Sequence, residues 1–393
     1  MQTRKIDALR LWWRDINFTS TQRRALALLA ILALSISASF IFFVSKAHTA
    51  IAEPIVRAVA EMMHRSDTGY LGKFPELGEA YAGFAKRRWN VTVDPTLIRI
   101  ATDVGVATIE ILRTLAQPGE RVVVMPPVYP AFYNWVKEIH LSMTEVPLIK
   151  SETTYAIDFF GLEREFAAGA RFLVLSNPHN PLGMLFTNEE LAKIAALAKQ
   201  YDVIILSDEI HAPLTYKGEK FTPFAAINDD ARERVITLTS ASKSWNLAGL
   251  KCSIFFTENP ELHEKLEPLV KGIRHRASLI GAVAHVVAFA ECDQWLDSAV
   301  ATIQESGHRL KELVRKNWPT VKISEPKNSY LSWVDFSGTA LGEDPAVELL
   351  EKARVALSSG IPFGAGGAHH ARLNFATSEE ILEEAIARIT PWL

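Results

Sequence analysis

Residues 240–251 read Ser-Ala-Ser-Lys-Ser-Trp-Asn-Leu-Ala-Gly-Leu-Lys and follow the run Val235-Ile236-Thr237-Leu238-Thr239. This run predicts a buried strand, which places Lys243 in the loop at the end of that strand. In open α/β sheets this edge is where ligands bind. The Ser240 and Ser242 hydroxyls and a second cation, Lys251, suit a phosphate, and a lysine beside a phosphate suits Schiff-base chemistry. Taken alone, the stretch would be read more simply as a surface lysine after a strand.

Two earlier segments have the same arrangement of a strand followed by a polar loop. They are Ser176-Asn177-Pro178-His179-Asn180-Pro181-Leu182-Gly183 and Ser207-Asp208-Glu209-Ile210-His211. In their order and spacing, the three segments resemble fold-type I enzymes that use pyridoxal 5′-phosphate (PLP). The subgroup most resembled is the MalY/PatB, or cystathionine β-lyase-like, group of aminotransferase-related carbon–sulfur β-lyases. The resemblance runs from about residue 53 to the C-terminus, and three ordered motifs make a chance match improbable.

The resemblance implies roles around the cofactor ring. Lys243 would hold PLP covalently, and Asp208 would pair with the pyridinium nitrogen so that the ring can accept electrons. Asn180 would hydrogen-bond the phenolic oxygen, and Tyr129 would stack on the ring face. His211 would support a neighbouring group rather than act as a base. Without the other motifs, the asparagine and the tyrosine would be read as ordinary turn residues.

The resemblance also implies the sites for the phosphate and the substrate. The phosphate ligands would be Ser240, Ser242, Lys251, the backbone N–H groups of Val104 and Gly105 at a helix N-terminus, and Tyr70 from a neighbouring subunit. Asp103 stands where the family's first glycine would fall, which weakens the assignment of those backbone donors. Arg372 would bind the substrate α-carboxylate through its guanidinium fork; the simpler alternative is a surface ion pair.

The fold implied is α/β, of the PLP-dependent transferase-like (fold type I) class. Residues 65–272 are expected to form a large domain with a mostly parallel sheet that carries the cofactor. Residues 273–393, with a helix at 51–64, would form a smaller α+β domain. We find no internal repeat.

The net charge and the cysteine content limit the kinds of ligand and partner that are expected. The chain has 393 residues and a net charge of −3, so a nucleic-acid partner is not expected. Its two cysteines, Cys252 and Cys292, are far apart and lack metal-site spacing, so both are expected to be buried or reduced thiols, and we predict no metal site.

Residues 1–50 depart from the family. A basic segment precedes the uncharged stretch 25–44, which is long enough to span a bilayer. In the lyases this region is soluble, and their active-site-lining segment has no counterpart here. Two interpretations stay open: a genuine membrane anchor, or a shifted reading frame or unusual N-terminus that replaces the native segment. The catalytic domain is expected to be cytoplasmic, with membrane contact only through residues 25–44.

The resulting prediction is a homodimeric lyase with shared active sites. It would cleave cystathionine or a related L-cysteine S-conjugate to a thiol, pyruvate and ammonia. One alternative is a class I/II aminotransferase, because Lys243, Asp208, Asn180 and Arg372 serve both reactions. The other is a catalytically impaired PLP-fold regulator or a membrane-tethered interaction protein, which would have little need for both Lys243 and Asp208.

Overall fold

A computed structural model describes residues 51–152 and 154–393. The hydrophobic run 25–44 and the rest of the atypical N-terminal segment lie outside the described residues.

A seven-stranded mixed sheet is the centre of the fold, with the strand order β1-β9-β8-β7-β6-β2-β3. The neighbours from β8 through β3 pair in parallel, whereas β9 runs antiparallel to both β8 and β1. This agrees with the predicted mostly parallel sheet. The strands are β1 (Arg99–Ala101), β2 (Arg121–Val124), β3 (Ser142–Glu145), β4 (Ile149–Lys150), β5 (Tyr155–Ala156), β6 (Phe172–Ser176), β7 (Ile204–Asp208), β8 (Val235–Thr239), β9 (Ser253–Phe256), β10 (Lys322–Ile323), β11 (Leu331–Asp335), β12 (Ser358–Ser359) and β13 (His370–Asn374).

Helices cover this sheet and extend beyond it. They are α1 (Glu53–His64), α2 (Pro75–Trp89), α3 (Val104–Leu115), α4 (Ala131–Glu138), α5 (Phe159–Ala167), α6 (Asn188–Gln200), α7 (Asp229–Arg234), α8 (Pro260–Arg274), α9 (Leu279–Glu291), α10 (Asp293–Asn317), α11 (Pro345–Lys352) and α12 (Glu379–Ile389).

The central strands are apolar on both faces because helices pack on each side. In β6, Phe172 and Val174 point into one hydrophobic cluster, while Leu173 and Leu175 point into another. Continuous burial of this kind is typical of parallel strands and explains why the runs do not alternate with polar residues. The sequence Thr187-Asn188-Glu189-Glu190 predicts a capping box. Helix α6 begins with it, and Thr187 and Glu190 satisfy each other's backbone N–H groups.

A second, four-stranded antiparallel sheet, in the order β10-β11-β13-β12, carries the C-terminal part of the chain. The sequence predicts a broken helical stretch over 277–318, and the break is confirmed, because α9 and α10 meet at an angle of 83°. Helix α1 packs against α9, as expected if residues 51–64 belong with the C-terminal part. The described residues lie within one compact unit, so the domain boundary at 272/273 stays a prediction.

The sequence predicts a helix over 344–358, a strand at 203–206 with Asp208 just beyond it, and a helix over 263–271, and all three boundaries need correction. The helix predicted at 344–358 ends at Lys352, and Arg354 then adopts a left-handed backbone conformation with φ 57°, which a helix cannot continue through. Asp208 is the last residue of β7 rather than the residue beyond it. The helix predicted at 263–271 is longer and spans Pro260–Arg274, because Asn259 caps its N-terminus with two hydrogen bonds.

Within residues 51–152 and 154–393, no single helix combines the length and the apolar composition required to cross a membrane. The bent pair α9 and α10 meets that test only jointly, and on length and composition alone.

Candidate active site

The site lies at the edge of the sheet where three parallel strands end. Ser176 of β6 is in register with Asp208 of β7, which is in register with Leu238 of β8. The loops that follow these strands therefore start side by side, and they are the three segments singled out in the sequence. The geometry follows from the parallel pairing, since parallel strands have their carboxyl ends at one edge.

Lys243 lies in the turn after β8, with its side chain half-buried. Its positive charge acts on the pKa of both Asp208 and His211, which places its ammonium group close to both side chains. Within the described residues, Lys243 forms no ion pair. A half-buried amine with no anionic partner of its own is available to react.

Asp208 is a buried carboxylate with 8% of its surface exposed. Burial raises its pKa to about 6, while a hydrogen bond from the Ile210 N–H (3.1 Å) and the charge of Lys243 act in the opposite direction. No salt bridge reaches it from the part of the chain that the structure describes. A buried acid without a bonded cation is costly to ionise, which is the physical reason for the raised pKa.

His211 is buried beside these two residues. Its Nδ1 lies 3.2 Å from Ser329 Oγ, and its backbone carbonyl accepts a hydrogen bond from Asn328 Nδ2 at 2.7 Å. Burial, together with the nearby charges of Lys243 and Arg372, lowers the His211 pKa to about 3. The imidazole is therefore neutral near pH 7 and fixed in orientation, as expected for a supporting residue.

Arg372 brings the second sheet to the same edge. Its Nη1 donates to Asn180 Oδ1 at 3.1 Å, and its Nη2 donates to Ser358 Oγ at 3.4 Å. The guanidinium carbon lies 5.2 Å from the centre of the Phe363 ring. Among residues 51–152 and 154–393, no carboxylate pairs with Arg372. The simpler alternative, a surface ion pair, is therefore not what the structure has: Arg372 is a half-buried cation that neutral partners orient.

The orientation of the Asn180 amide follows from this contact. Arginine only donates hydrogen bonds, so the Asn180 atom that faces it must be the oxygen. The amide nitrogen is then free to donate to another acceptor. The segment is also fixed from behind, since the Asn180 backbone N–H donates to Ser176 Oγ at 3.1 Å.

Tyr129 is half-buried and begins an aromatic cluster. Its ring packs edge-on against Phe132 and Trp135, with centroid distances of 5.9 and 6.1 Å. Its hydroxyl is close enough to Arg372 to act on that residue's pKa. The structure therefore places the predicted stacking ring beside the predicted carboxylate-binding residue.

The predicted phosphate ligands are only partly assembled. Val104 and Gly105 begin α3, and no acceptor for their N–H groups is present in the described chain. Lys251 lies near this helix end, because its Nζ is 3.2 Å from Asp103 Oδ2. The hydroxyl of Ser242 is likewise without a partner among the described residues.

Ser240 differs from these residues because its hydroxyl points inward. It donates to the carbonyl of Cys252 at 2.7 Å, lies 2.9 Å from His285 Nε2, and accepts from the Ser242 N–H at 3.0 Å. This geometry makes Ser240 an anchor of the loop. Its predicted contact with phosphate has no support in these bonds and stays a prediction.

Tyr70 is not brought to the site within one chain. It lies in the irregular segment after α1, and 88% of its surface is exposed. This large aromatic side chain is scarcely packed against the part of the chain that the structure describes. The two cysteines, in contrast, are buried and free as expected.

The sequence profile "Aminotransferase class I and II" matches residues 44–389, which is most of the chain. The chain belongs to this family. Its curated relatives include the cystathionine beta-lyase of Corynebacterium glutamicum, 33% identical over 332 residues, with 84% of this chain and 88% of that one covered. They also include the cystathionine beta-lyase PatB of Bacillus subtilis, 31% identical over 344 residues, with 86% and 88% covered.

Solved structures of the family agree with the fold. Cystalysin from Treponema denticola, whose structure contains a pyridoxal 5′-phosphate cofactor, superimposes with a TM-score of 0.83 at 26% sequence identity. The match covers 87% of this chain and 88% of cystalysin. The large mixed sheet and the fold-type I class predicted from sequence are confirmed.

Within this family frame, two residues of the site were not found by sequence reasoning. Glu209 is fully buried next to Asp208 and accepts hydrogen bonds from Ser207 Oγ and the Phe224 N–H. Burial raises its pKa to about 8. Phe363 packs on Arg372 from a short 3₁₀ turn with no motif around it. The only sequence signal for Glu209 was its place beside Asp208 after an apolar strand; Phe363 had none.

Proposed function

We propose that this protein is a PLP-dependent carbon–sulfur β-lyase that cleaves cystathionine or a related L-cysteine S-conjugate. The products would be a thiol, pyruvate and ammonia. The observation that carries the proposal is that Lys243, Asp208 and Arg372 converge on one sheet edge, and none has an ionic partner within the described residues. Relatives named cystathionine beta-lyase support the reaction class.

The unpaired charges match the functional groups of PLP and an amino acid. An aldehyde requires an amine, which Lys243 offers. A pyridinium N–H requires an anion, which Asp208 offers from a dry environment. The free Asn180 amide nitrogen can donate to the phenolic oxygen, and Tyr129 offers a ring face. When bound, PLP supplies an electron-accepting ring that stabilises negative charge at the substrate Cα.

The remaining anion of the substrate is its α-carboxylate, and Arg372 is the residue that binds it. The bonds from Arg372 to Asn180 and Ser358 leave the guanidinium with further N–H donors, since the group has five. The Phe363 ring covers one face and limits access of water to the ion pair. Together these contacts orient the Cα–H bond of the substrate relative to Lys243.

Lys243 also moves the proton. With PLP bound, its Nζ would be the basic group beside Cα and would accept the Cα proton. His211 is neutral and bonded to Ser329, so it does not compete for this role. A thiolate is a good leaving group, so elimination at Cβ competes with return of the proton.

The decisive test is incubation of the purified protein with cystathionine, with and without 2-oxoglutarate. We expect pyruvate, ammonia and free thiol without the keto acid. Borohydride reduction should fix the cofactor to a peptide that contains Lys243. The Lys243→Ala variant should neither release pyruvate from cystathionine nor retain the cofactor after reduction. Turnover only with the keto acid, with glutamate accumulating, would identify an aminotransferase. Cofactor fixed elsewhere would overturn the site.

We further propose a homodimer in which Tyr70 completes the phosphate site of the neighbouring subunit. Its 88% exposure in a single chain supports this arrangement, because a partner would cover the ring. The proposed division into a cofactor domain, residues 65–272, and a small domain, residues 51–64 with 273–393, follows the two sheets. A cytoplasmic catalytic domain belongs to the same proposal.

A further inference from the structure

Asp103 lies between two of the proposed phosphate-binding groups, the N-terminus of α3 and Lys251. It is the N-cap of α3, and its Oδ1 accepts from the Val106 N–H at 2.9 Å. Its other oxygen, Oδ2, lies 3.2 Å from Lys251 Nζ. One carboxylate therefore holds both the start of the helix and the cation of the loop that carries Lys243.

The backbone around this carboxylate is held in place. Gly105 packs directly on Trp135, because a Cβ atom at position 105 would lie 2.7 Å from the indole ring. The Ser278 N–H donates to the Lys251 carbonyl at 3.1 Å, which fixes the other side. Three positively polarised groups therefore lie around one small region: the N–H groups of Val104 and Gly105 and the Lys251 ammonium. The Asp103 carboxylate is the anion that lies there in the structure.

We propose that Asp103 competes with the cofactor phosphate for Lys251 and so limits the affinity of the protein for PLP. This inference rests on the proposed function. The structure pairs Asp103 with Lys251 next to the N-terminus of α3. When the phosphate binds, Lys251 turns to it, and Asp103 remains as a like charge beside a dianion. Like charges at this distance repel, which weakens binding.

The Asp103→Asn substitution removes the negative charge and keeps the helix N-cap. Asparagine is as good an N-cap as aspartate and keeps an oxygen for the Val106 N–H, but it carries no charge. Asp103→Ser is a second variant that keeps the cap in a different shape. The matched control is Asp158→Asn, because Asp158 caps α5 through the same type of bond, to the Gly161 N–H at 2.9 Å, and has no place in the phosphate site.

The measurement is the equilibrium dissociation constant of the resolved, cofactor-free protein for PLP, followed by cofactor absorbance, with pyridoxal as the comparison. Both Asp103 variants should bind PLP about tenfold more tightly than wild type, equivalent to 1.4 kcal/mol, and should bind pyridoxal, which has no phosphate, unchanged. The Asp158→Asn control should match wild type with both ligands.

Two results would overturn the inference. If PLP affinity is unchanged or weaker in both Asp103 variants, the carboxylate does not compete, and the ion pair instead organises Lys251 for binding. If pyridoxal affinity rises by the same factor, the effect does not involve the phosphate. Failure of the wild-type protein to bind PLP at Lys243 at all would contradict the proposed function, and is separate from both results.

Discussion

Arg372→Lys tests the substrate-binding end of the site most directly. A guanidinium binds a carboxylate through two charge-assisted hydrogen bonds, each worth about 1.5–3 kcal/mol. Lysine keeps the positive charge but not the planar fork, so about one of the two bonds is lost. The expected loss in kcat/KM for cystathionine is therefore about 1.5–3 kcal/mol, or roughly 10- to 150-fold.

The structure provides the means to separate this effect from damage to the site. Arg372 also donates to Asn180 Oδ1 and Ser358 Oγ, and loss of these bonds could disturb the cofactor pocket. We therefore compare an S-alkyl L-cysteine with the corresponding S-alkyl cysteamine, which has no carboxylate. The substitution should reduce kcat/KM for the amino acid and leave that for the amine nearly unchanged.

The matched control is Arg388→Lys, on the exposed face of α12, where the arginine pairs with Glu384 at 2.7 Å. An exposed pair of this kind contributes little, so activity should not change. Equal losses on both substrates in Arg372→Lys would refute the carboxylate role and assign the residue to positioning Asn180.

Two further predictions concern one exposed side chain, Tyr70, and one buried side chain, Glu209. If Tyr70 serves the neighbouring subunit, inactive Tyr70→Ala and Lys243→Ala proteins should regain activity when mixed under subunit exchange, and a fully active monomer by light scattering would contradict this. Burial raises the Glu209 pKa from 4.5 to about 8, so the folded chain holds that proton more tightly than the unfolded one, and its stabilising contribution, complete below pH 4.5, is lost as pH rises through about 8. In urea unfolding, the free energy of unfolding of Glu209→Gln should therefore rise relative to that of wild type by on the order of a few kcal/mol between pH 5 and 9. The exposed control Glu264→Gln should show the same pH dependence as wild type. If the unfolding free energies of Glu209→Gln and wild type change in parallel with pH, this proton is not held by burial.

Local sequence determined where strands end and polar loops begin. The apolar runs before Ser176, Asp208 and Ser240 are continuous because strands of a parallel sheet are buried on both faces. A strand that must leave a dry interior ends where its first polar groups can be solvated or bonded. This local rule placed the three site segments, and the capping box at Thr187 marked a helix start equally well.

Local sequence did not determine how far each element extends. The sequence predicts a helix over 344–358. It ends at Lys352, where the chain turns to bring β12 beside β13. The end of a helix depends on where the following segment must pack, and that is decided by partners far along the chain.

The direction of polar side chains was decided only by tertiary structure. Ser240 turns inward because His285, 45 residues away, lies behind it. The Asn180 amide is oriented by Arg372, at a separation of 192 residues, and Lys251 is held by Asp103, at a separation of 148. The sequence supplied which groups are present near the sheet edge, since that follows from strand order. Which of them remain unpaired, and so available to a cofactor and a substrate, depends on contacts between distant segments that no local pattern encodes.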